Sequence, residues 1–293
     1  PIAYQAQMRG ASGIEYSSWG TYAADNRETD ASINFFYRPQ PDTGKAAKPD
    51  SAIIKIYNAT GENIRTFKAK ADTGFNRSYW GYQTKGIRNP QQPKPRPNAP
   101  EQGGGMPAEP GLYKAVVTVG KWSDSTQLNV QYDPRLTYPA EIRKAQKTFM
   151  ERFYKMTTDL TDANDLLTDM DDGIKKMEPL IKDEIGAEAE SLRKAGKAVQ
   201  DSIKLIREYM FGKRQEKQGY GTAYQLTVQT KMNEVRQLVM GKNAMPGEQE
   251  ERAVQIAQTL STDAINRINN LKNGAWKNYK DLASKMPLKI LKD

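Results

Sequence analysis

Leu128-Asn129-Val130-Gln131-Tyr132-Asp133-Pro134-Arg135-Leu136-Thr137-Tyr138-Pro139-Ala140-Glu141-Ile142 holds the change of period that divides this chain. Before the prolines, Leu128, Val130 and Tyr132 alternate with polar residues, the period of a strand with one buried face. After them, Ile142, Gln146, Phe149, Phe153, Met156, Leu160, Ala163, Leu167, Met170, Ile174 and Met177 recur at steps of four and three. Gln146 alone is polar, so the spacing predicts one long amphipathic helix, interrupted at Gly173 and ending before Pro179. Pro139 suits the first helical position, and Glu141 the positive end of the helix dipole.

Upstream, the pattern is that of short strands. Residues 32–38 are rich in β-formers, and Pro39 and Pro41 stop them. Ser51–Tyr57 and Asn63–Lys68 flank the turn Ala59-Thr60-Gly61-Glu62 as a hairpin. In the return strand Ile64 shares a face with Thr66 and Lys68, and Arg65 with Phe67. Asn58-Ala59-Thr60 fits a glycosylation acceptor, although the hairpin turn explains it equally. Gly74–Tyr82 leads into a further strand, and Leu112–Val119 and Ser125–Tyr132 pair around Gly120-Lys121. Between them, residues 88–110 carry seven prolines and Gly103-Gly104-Gly105, which excludes strand and helix and reads as a floppy insertion. Residues 1–30, with Trp19 and Tyr22, read as a lead-in. Six or more short strands without a helix indicate an antiparallel sandwich.

Downstream, three more stripes follow. Ile185, Ala189, Leu192, Ala195, Val199, Ile203, Ile206 and Met210 make a second helix before Gly212. Val228, Met232, Val235 and Val239 make a third, ending near Gly241. Ala257, Leu260, Ala264, Ile268, Leu271, Ala275, Tyr279, Leu282 and Met286 make a fourth. Stripes this wide need one another to be buried, so an antiparallel bundle of about four long helices follows. The expected domains are a lead-in (1–30), a β-sandwich with a Pro/Gly-rich loop at 88–110 (31–137), and a helical bundle (138–293).

Chemistry is constrained by what is missing. The sequence has no Cys and no His, which removes the usual zinc, copper, haem and iron–sulfur ligands, thiol catalysis and disulfides. Only oxygen-ligated Ca²⁺ or Mg²⁺ remains conceivable. The acidic run Asp159, Asp162, Asp165, Asp169, Asp171, Asp172 does not supply it: an EF-hand loop starting at Asp169 would put Gly173 fifth and Ile174 where glycine belongs. These acids are expected mostly on a solvated helix face. No His base, Gly-x-Ser-x-Gly elbow or phosphate loop is present, and Gly219-Tyr220-Gly221 reads as an interhelical turn. Glu184, Glu188, Glu190, Glu248, Glu250 and Glu251 lack the cleft that glycoside hydrolysis needs. No catalytic residue, cofactor or metal is therefore expected, and the chain is not read as an enzyme.

The formal charge is +9, but it divides as 17 bases against 12 acids in residues 1–137 and 27 against 23 in 138–293. Alternating signs without a basic stripe argue against nucleic acid as partner. No apolar run reaches the ~20 residues of a membrane span. Tyr79, Trp80, Tyr82 and Trp122 are candidate binding aromatics for a carbohydrate or peptide, although a sandwich core needs large aromatics too. Asp133, Pro134 and Arg135 are expected to hold the interdomain corner through local hydrogen bonds or a charge pair, the two prolines of the junction stiffening it. The opening at Pro1, with no initiator Met or signal-like segment, is read as that of a processed piece.

One ordered set of residues resembles a known family. It comprises the Phe35-Phe36-Tyr37 strand, the hairpin Ile54-x-Ile56-Tyr57-Asn58-Ala59-Thr60-Gly61-Glu62-x-Ile64-Arg65-Thr66, then Gly74-x-Asn76-Arg77-x-x-Trp80. The Pro/Gly-rich insertion, Glu109-Pro110-Gly111-x-Tyr113 and Asp133-Pro134-Arg135 before long helices complete it. Over residues 20–290 this is similar to the C-terminal region of the large exported sortilin-like, BNR-repeat propeller proteins of Bacteroidetes, often labelled glycosyl hydrolases for their propellers. The sandwich resembles the immunoglobulin-like domain of flagellar hook-capping proteins. The resemblance implies an exported protein of the periplasm, cell surface or extracellular space. It implies an immunoglobulin-like module that docks an upstream propeller or another envelope protein, or alternatively an accessory part that holds polysaccharide for a propeller-type glycoside hydrolase.

Overall fold

The computed structural model describes residues 2–5, 28–38, 51–97, 99–135, 139–182, 184–213, 225–240 and 244–286. Trp19, Tyr22, Pro39, Pro41, Leu136-Thr137-Tyr138, Gly219-Tyr220-Gly221 and Gly241 lie outside them. The chain is mixed β and α and forms two compact units: residues 1–87 with 95–137, and residues 88–94 with 138–293. Residues 88–94 thus belong with the helices, not with the strands that the sequence pattern assigned them to.

Among its described residues the first unit has seven strands: β1 (Ile2–Gln5), β2 (Ala31–Tyr37), β3 (Ser51–Tyr57), β4 (Asn63–Lys70), β5 (Gly74–Trp80), β6 (Gly111–Val119) and β7 (Trp122–Tyr132). Five form a sheet in the order β1-β7-β6-β3-β4, and β2 pairs with β5 in a second sheet. All pairings are antiparallel except β1 with β7. The start of the expected lead-in is therefore an edge strand, with Ile2 opposite Asn129 and Tyr4 opposite Gln131.

Alternation sets the core. Ala52, Ile54 and Ile56 of β3 are fully buried while Ser51, Ile53 and Lys55 face out. Ile54 and Ile56 meet Ala31 and Ile33 of β2, Trp80 of β5, Tyr113 and Ala115 of β6, and Leu128 and Val130 of β7 in one cluster, so both sheets share a core. In β4, Ile56 pairs with Arg65 but Tyr57 with Asn63, leaving Ile64 as the extra residue of a bulge. The bulge shifts the phase, and Ile64 and Phe67, on opposite faces of a regular strand, both pack against the core. Asn58 builds the preceding turn: its Oδ1 accepts from the Thr60 amide (3.1 Å), the Thr60 hydroxyl (2.7 Å) and the Glu62 amide (2.9 Å).

The Pro/Gly-rich stretch is not a floppy insertion. Thr84 N–H donates to Met106 O (2.9 Å), Gly86 N–H to Gln102 O (2.9 Å) and Lys85 N–H to Ile64 O (2.7 Å). Thr66 N–H, on the open edge of β4, donates to Glu101 Oε2 (2.6 Å), and Arg65 donates to Gln102 O. Residues 83–86 and 101–106 thus cover the edge of the larger sheet, a standard protection against strand addition. The glycines permit the approach: a Cβ on Gly86 would meet Gly103 O, and one on Gly105 would meet Thr84 O, in both cases far inside van der Waals contact.

The second unit contains α1 (Ala140–Ile181), α2 (Ala187–Phe211), α3 (Val228–Met240) and α4 (Glu248–Leu271), which continues through a π-helical turn (Lys272–Trp276) into α5 (Lys277–Lys285). At ~1.5 Å per residue α1 is about 63 Å long. Phe149, Met156, Leu160, Leu167, Met170 and Ile174 of its stripe are buried against the other helices. The polar exception, Gln146, donates from Nε2 to Ala244 O (3.0 Å).

Three expectations are corrected here. Gly173 does not interrupt α1: a Cβ there would lie 3.1 Å from the Trp276 ring, so the glycine is a notch for that side chain. Pro179 lies inside α1, in its last turn, where the missing N–H removes only one terminal hydrogen bond. Ile185 precedes α2 and is wholly exposed, whereas Gly196 on α2 forms the notch for the Tyr279 ring, 3.1 Å away. Among the described residues no helix is long and apolar enough to cross a membrane.

Candidate binding surface

The four candidate aromatics do not form one platform. Trp80, 2% exposed, and Tyr82 are core residues. Their rings lie 5.7 Å apart, with the Tyr113 ring 5.3 Å from Trp80. Trp80 Nε1 donates to Gln83 O (2.9 Å), and the Tyr113 hydroxyl donates to Glu109 O (2.6 Å). Burial, with Asp30 near Tyr82 and Glu109 near Tyr113, raises both phenol pKa values above the ordinary range. Tyr79 and Trp122 are exposed, but on different sheets.

Exposed aromatics do gather elsewhere. The register pairs Ser32 with Tyr79, Asn34 with Arg77 and Phe36 with Phe75. These positions alternate with the buried Ala31, Ile33, Asn76 and Trp80, so they form the outward face of the β2–β5 sheet. Phe36 is 74% and Phe75 66% exposed, directly opposite each other. Arg77 lies over the Phe75 ring, its guanidinium carbon 5.8 Å from the centroid, and its Nε donates to Asn34 Oδ1 (2.9 Å). The Ser32 hydroxyl donates to the same oxygen (3.1 Å). On the opposite face Asn76 fixes the β4–β5 turn, bonding Asp72 N (2.8 Å), Asp72 O (2.7 Å) and Gly74 O (3.0 Å).

Phe36, Phe75 and Arg77 were not among the candidates read from sequence. Their signal was parity: Phe75, Arg77 and Tyr79 share one phase of β5, and Trp80 sets the core phase. In Phe35-Phe36-Tyr37 three aromatics in a row hide the alternation, and only pairing with β5 shows which one faces out.

At the corner residues, Asp133 is buried and its Oδ1 accepts from Arg135 N (3.0 Å) and Nε (2.8 Å), while Oδ2 accepts from the other end of the guanidinium (2.5 Å). That hydrogen bond and charge hold the Arg135 pKa above its ordinary value. Pro134 is the turn residue between them.

The acidic run of α1 is distributed among cations. Asp159 pairs with Lys155 (2.9 Å), Asp171 with Lys175 (2.9 Å) and Arg207 (3.5 Å), Asp165 with Arg88 and Asp169 with Lys94 (2.5 Å). The last two cations come from residues 88–94, which dock on α1. Asn164 Nδ2 also donates to Pro90 O (2.7 Å), and the Thr161 hydroxyl lies 3.0 Å from Arg88 O. Asp165 and Asp169 therefore seat a segment of the chain itself, and are not merely a solvated face. A groove of about 600 Å³ beside this segment, lined by Gln92, Lys94, Asp169, Asp172, Arg207 and Phe211, carries charges that are mostly paired already. Among the described residues no three carboxylates converge as a metal site needs. Comparison of the chain with protein-family models and with curated proteins finds no match.

Proposed function

We propose that this chain is a non-catalytic protein-interaction or scaffolding module of an exported cell-envelope protein. In this reading its first unit is an immunoglobulin-like sandwich and its second an antiparallel bundle of about four long helices. The sandwich reading is supported by the core that both sheets share, and by the Tyr113 hydroxyl bonded back to Glu109 O, as a tyrosine closes a corner in immunoglobulin-like folds. Resemblance to the C-terminal region of sortilin-like propeller proteins supports the periplasm, cell surface or extracellular space as its place, and an upstream propeller or another envelope protein as its partner.

One observation carries the functional reading: two phenylalanines opposite each other on an outward sheet face, both more than half exposed, with an arginine held over one ring. The core does not need this pair, whose cross-strand contact adds only about 0.2–1 kcal/mol to the sheet while leaving both rings largely in water. Exposed apolar clusters with aromatic and Arg anchors are typical of contact surfaces. The alternative of an accessory polysaccharide-binding part loses Trp80 and Tyr82, which are buried, and keeps Tyr79, beside the Phe pair, and Trp122, on the other sheet. Phe36→Thr/Phe75→Thr tests the reading, because threonine keeps β-propensity. The labelled chain is expected to bind saturably to the envelope fraction of its own cells, and the double variant to bind at least about tenfold more weakly with its melting temperature little changed. Equal binding by both proteins would remove the Phe pair from the account.

A further inference from the structure

We infer that the partner segment seated on the β2–β5 face is an acidic polypeptide in which a carboxylate side chain and an aliphatic one alternate at i and i+2. This rests on the interaction reading above and names the chemistry of the partner.

Arg77 is the only charged group among the outward strand positions Ser32, Asn34, Phe36, Phe75, Arg77 and Tyr79. Exposed residues in the same phase flank them, Arg38 two residues past Phe36 and Asp30 two residues before Ser32. The nearest acid along β2 is Asp30, four residues before Asn34, which at ~3.3 Å per residue is about 13 Å away. That exceeds the screening length of roughly 8–10 Å in physiological salt, so Asp30 does not neutralise Arg77.

The guanidinium of Arg77 is also prearranged. Its Nε is fixed by Asn34, which Ser32 holds in turn, and its plane is supported by the Phe75 ring. Its two terminal nitrogens have no hydrogen-bond or ion-pair partner among the described residues. A guanidinium held this way presents a fork that matches a carboxylate, with less side-chain entropy left to lose on binding.

Spacing selects the polymer. Arg77 and Phe75 are two residues apart on one strand face, about 6.6 Å. An extended peptide repeats its own side chains at the same interval, so an acid over Arg77 places an aliphatic group over the Phe36–Phe75 pair. A polyuronate would satisfy Arg77 equally, but it offers two phenyl rings only the C–H groups of its sugar rings. An aliphatic side chain covers them more fully, which favours polypeptide.

The test uses the full chain and fluorescence anisotropy with four probes: a labelled peptide repeating Glu-Ser-Leu-Ser, the same peptide with Gln or with Lys in place of Glu, and polygalacturonate. The Glu peptide is expected to bind at least about tenfold tighter than the Gln peptide, as a charge-assisted fork requires. The Lys peptide should not bind, and added salt should weaken the Glu complex. Arg77→Gln should remove the preference for Glu, and Arg77→Glu should transfer it to the Lys peptide, with melting unchanged in both. Equal binding of all three peptides, lost in Phe36→Thr/Phe75→Thr, would overturn the acidic partner and leave the interaction reading standing. Binding of polygalacturonate alone would overturn both. Binding of no probe would overturn the acidic partner, and the envelope-fraction experiment would then decide the interaction reading separately.

Discussion

Trp80→Ala is expected to destabilise the first unit by about 3–5 kcal/mol, the range for removing a large aromatic from a packed core. Trp80 lies where the two sheets share side chains, against Tyr82 and Tyr113 and close to Ile33, Ile54 and Ile56. Truncation leaves a cavity of indole size and orphans Gln83 O, which accepts the indole N–H. It also loosens Tyr82, which holds φ at 51°, a left-handed conformation that a bulky side chain adopts only under constraint from its neighbours. Trp122→Ala is the control, because that ring is 53% exposed at the β6–β7 turn and should change stability by no more than about 0.5 kcal/mol. Denaturant unfolding followed by circular dichroism measures both. Equal shifts would mean that Trp80 is not the core residue described here.

Gly105→Ala should cost about 1–3 kcal/mol or more, the range for forcing an atom into filled space. The new Cβ would meet the backbone of Thr84 and Lys85, which cannot rotate away as a flexible side chain could. Relief requires residues 101–106 to separate from 83–86, and that uncovers the edge of β4. Faster hydrogen exchange at the Thr66 amide should report the opening, since its acceptor is Glu101. Gly103→Ala, two residues earlier, meets only the far end of Arg65 at 3.7 Å and should be tolerated. Indistinguishable exchange in the two variants would mean that Gly105 does not set the backbone approach.

These two sites also mark how far the sequence could be read. Strands β2 to β7 and the four helical stripes were legible because period 2 and period 3.5 are imposed by burial on every residue of an element. The Asp133–Arg135 ion pair was legible because its partners are two residues apart. Other features depend on contacts distant in sequence. Gly103-Gly104-Gly105 looks the same whether it serves flexibility or close backbone approach, and only Thr84 and Gly86 decide it. Asp165 looks like any solvated helix acid until Arg88, 77 residues earlier, is placed beside it. The bulge at Ile64 is set by register with β3, and the notch at Gly173 by the Trp276 ring. At the candidate surface, the buried Trp80 drew attention because large aromatics do, whereas Phe36 and Phe75 became visible as a pair only once β2 was aligned with β5.

Photo-crosslinking from position 36 tests the central claim most directly. A photoreactive phenylalanine analogue would replace Phe36 in one sample and Trp122, another exposed aromatic of the same unit, in another, each irradiated with the cell-envelope fraction. The account predicts a discrete protein adduct from position 36, competed by unlabelled chain, and none from position 122. Adducts of equal yield from both positions, or an adduct at 36 that is polysaccharide and not protein, would contradict it.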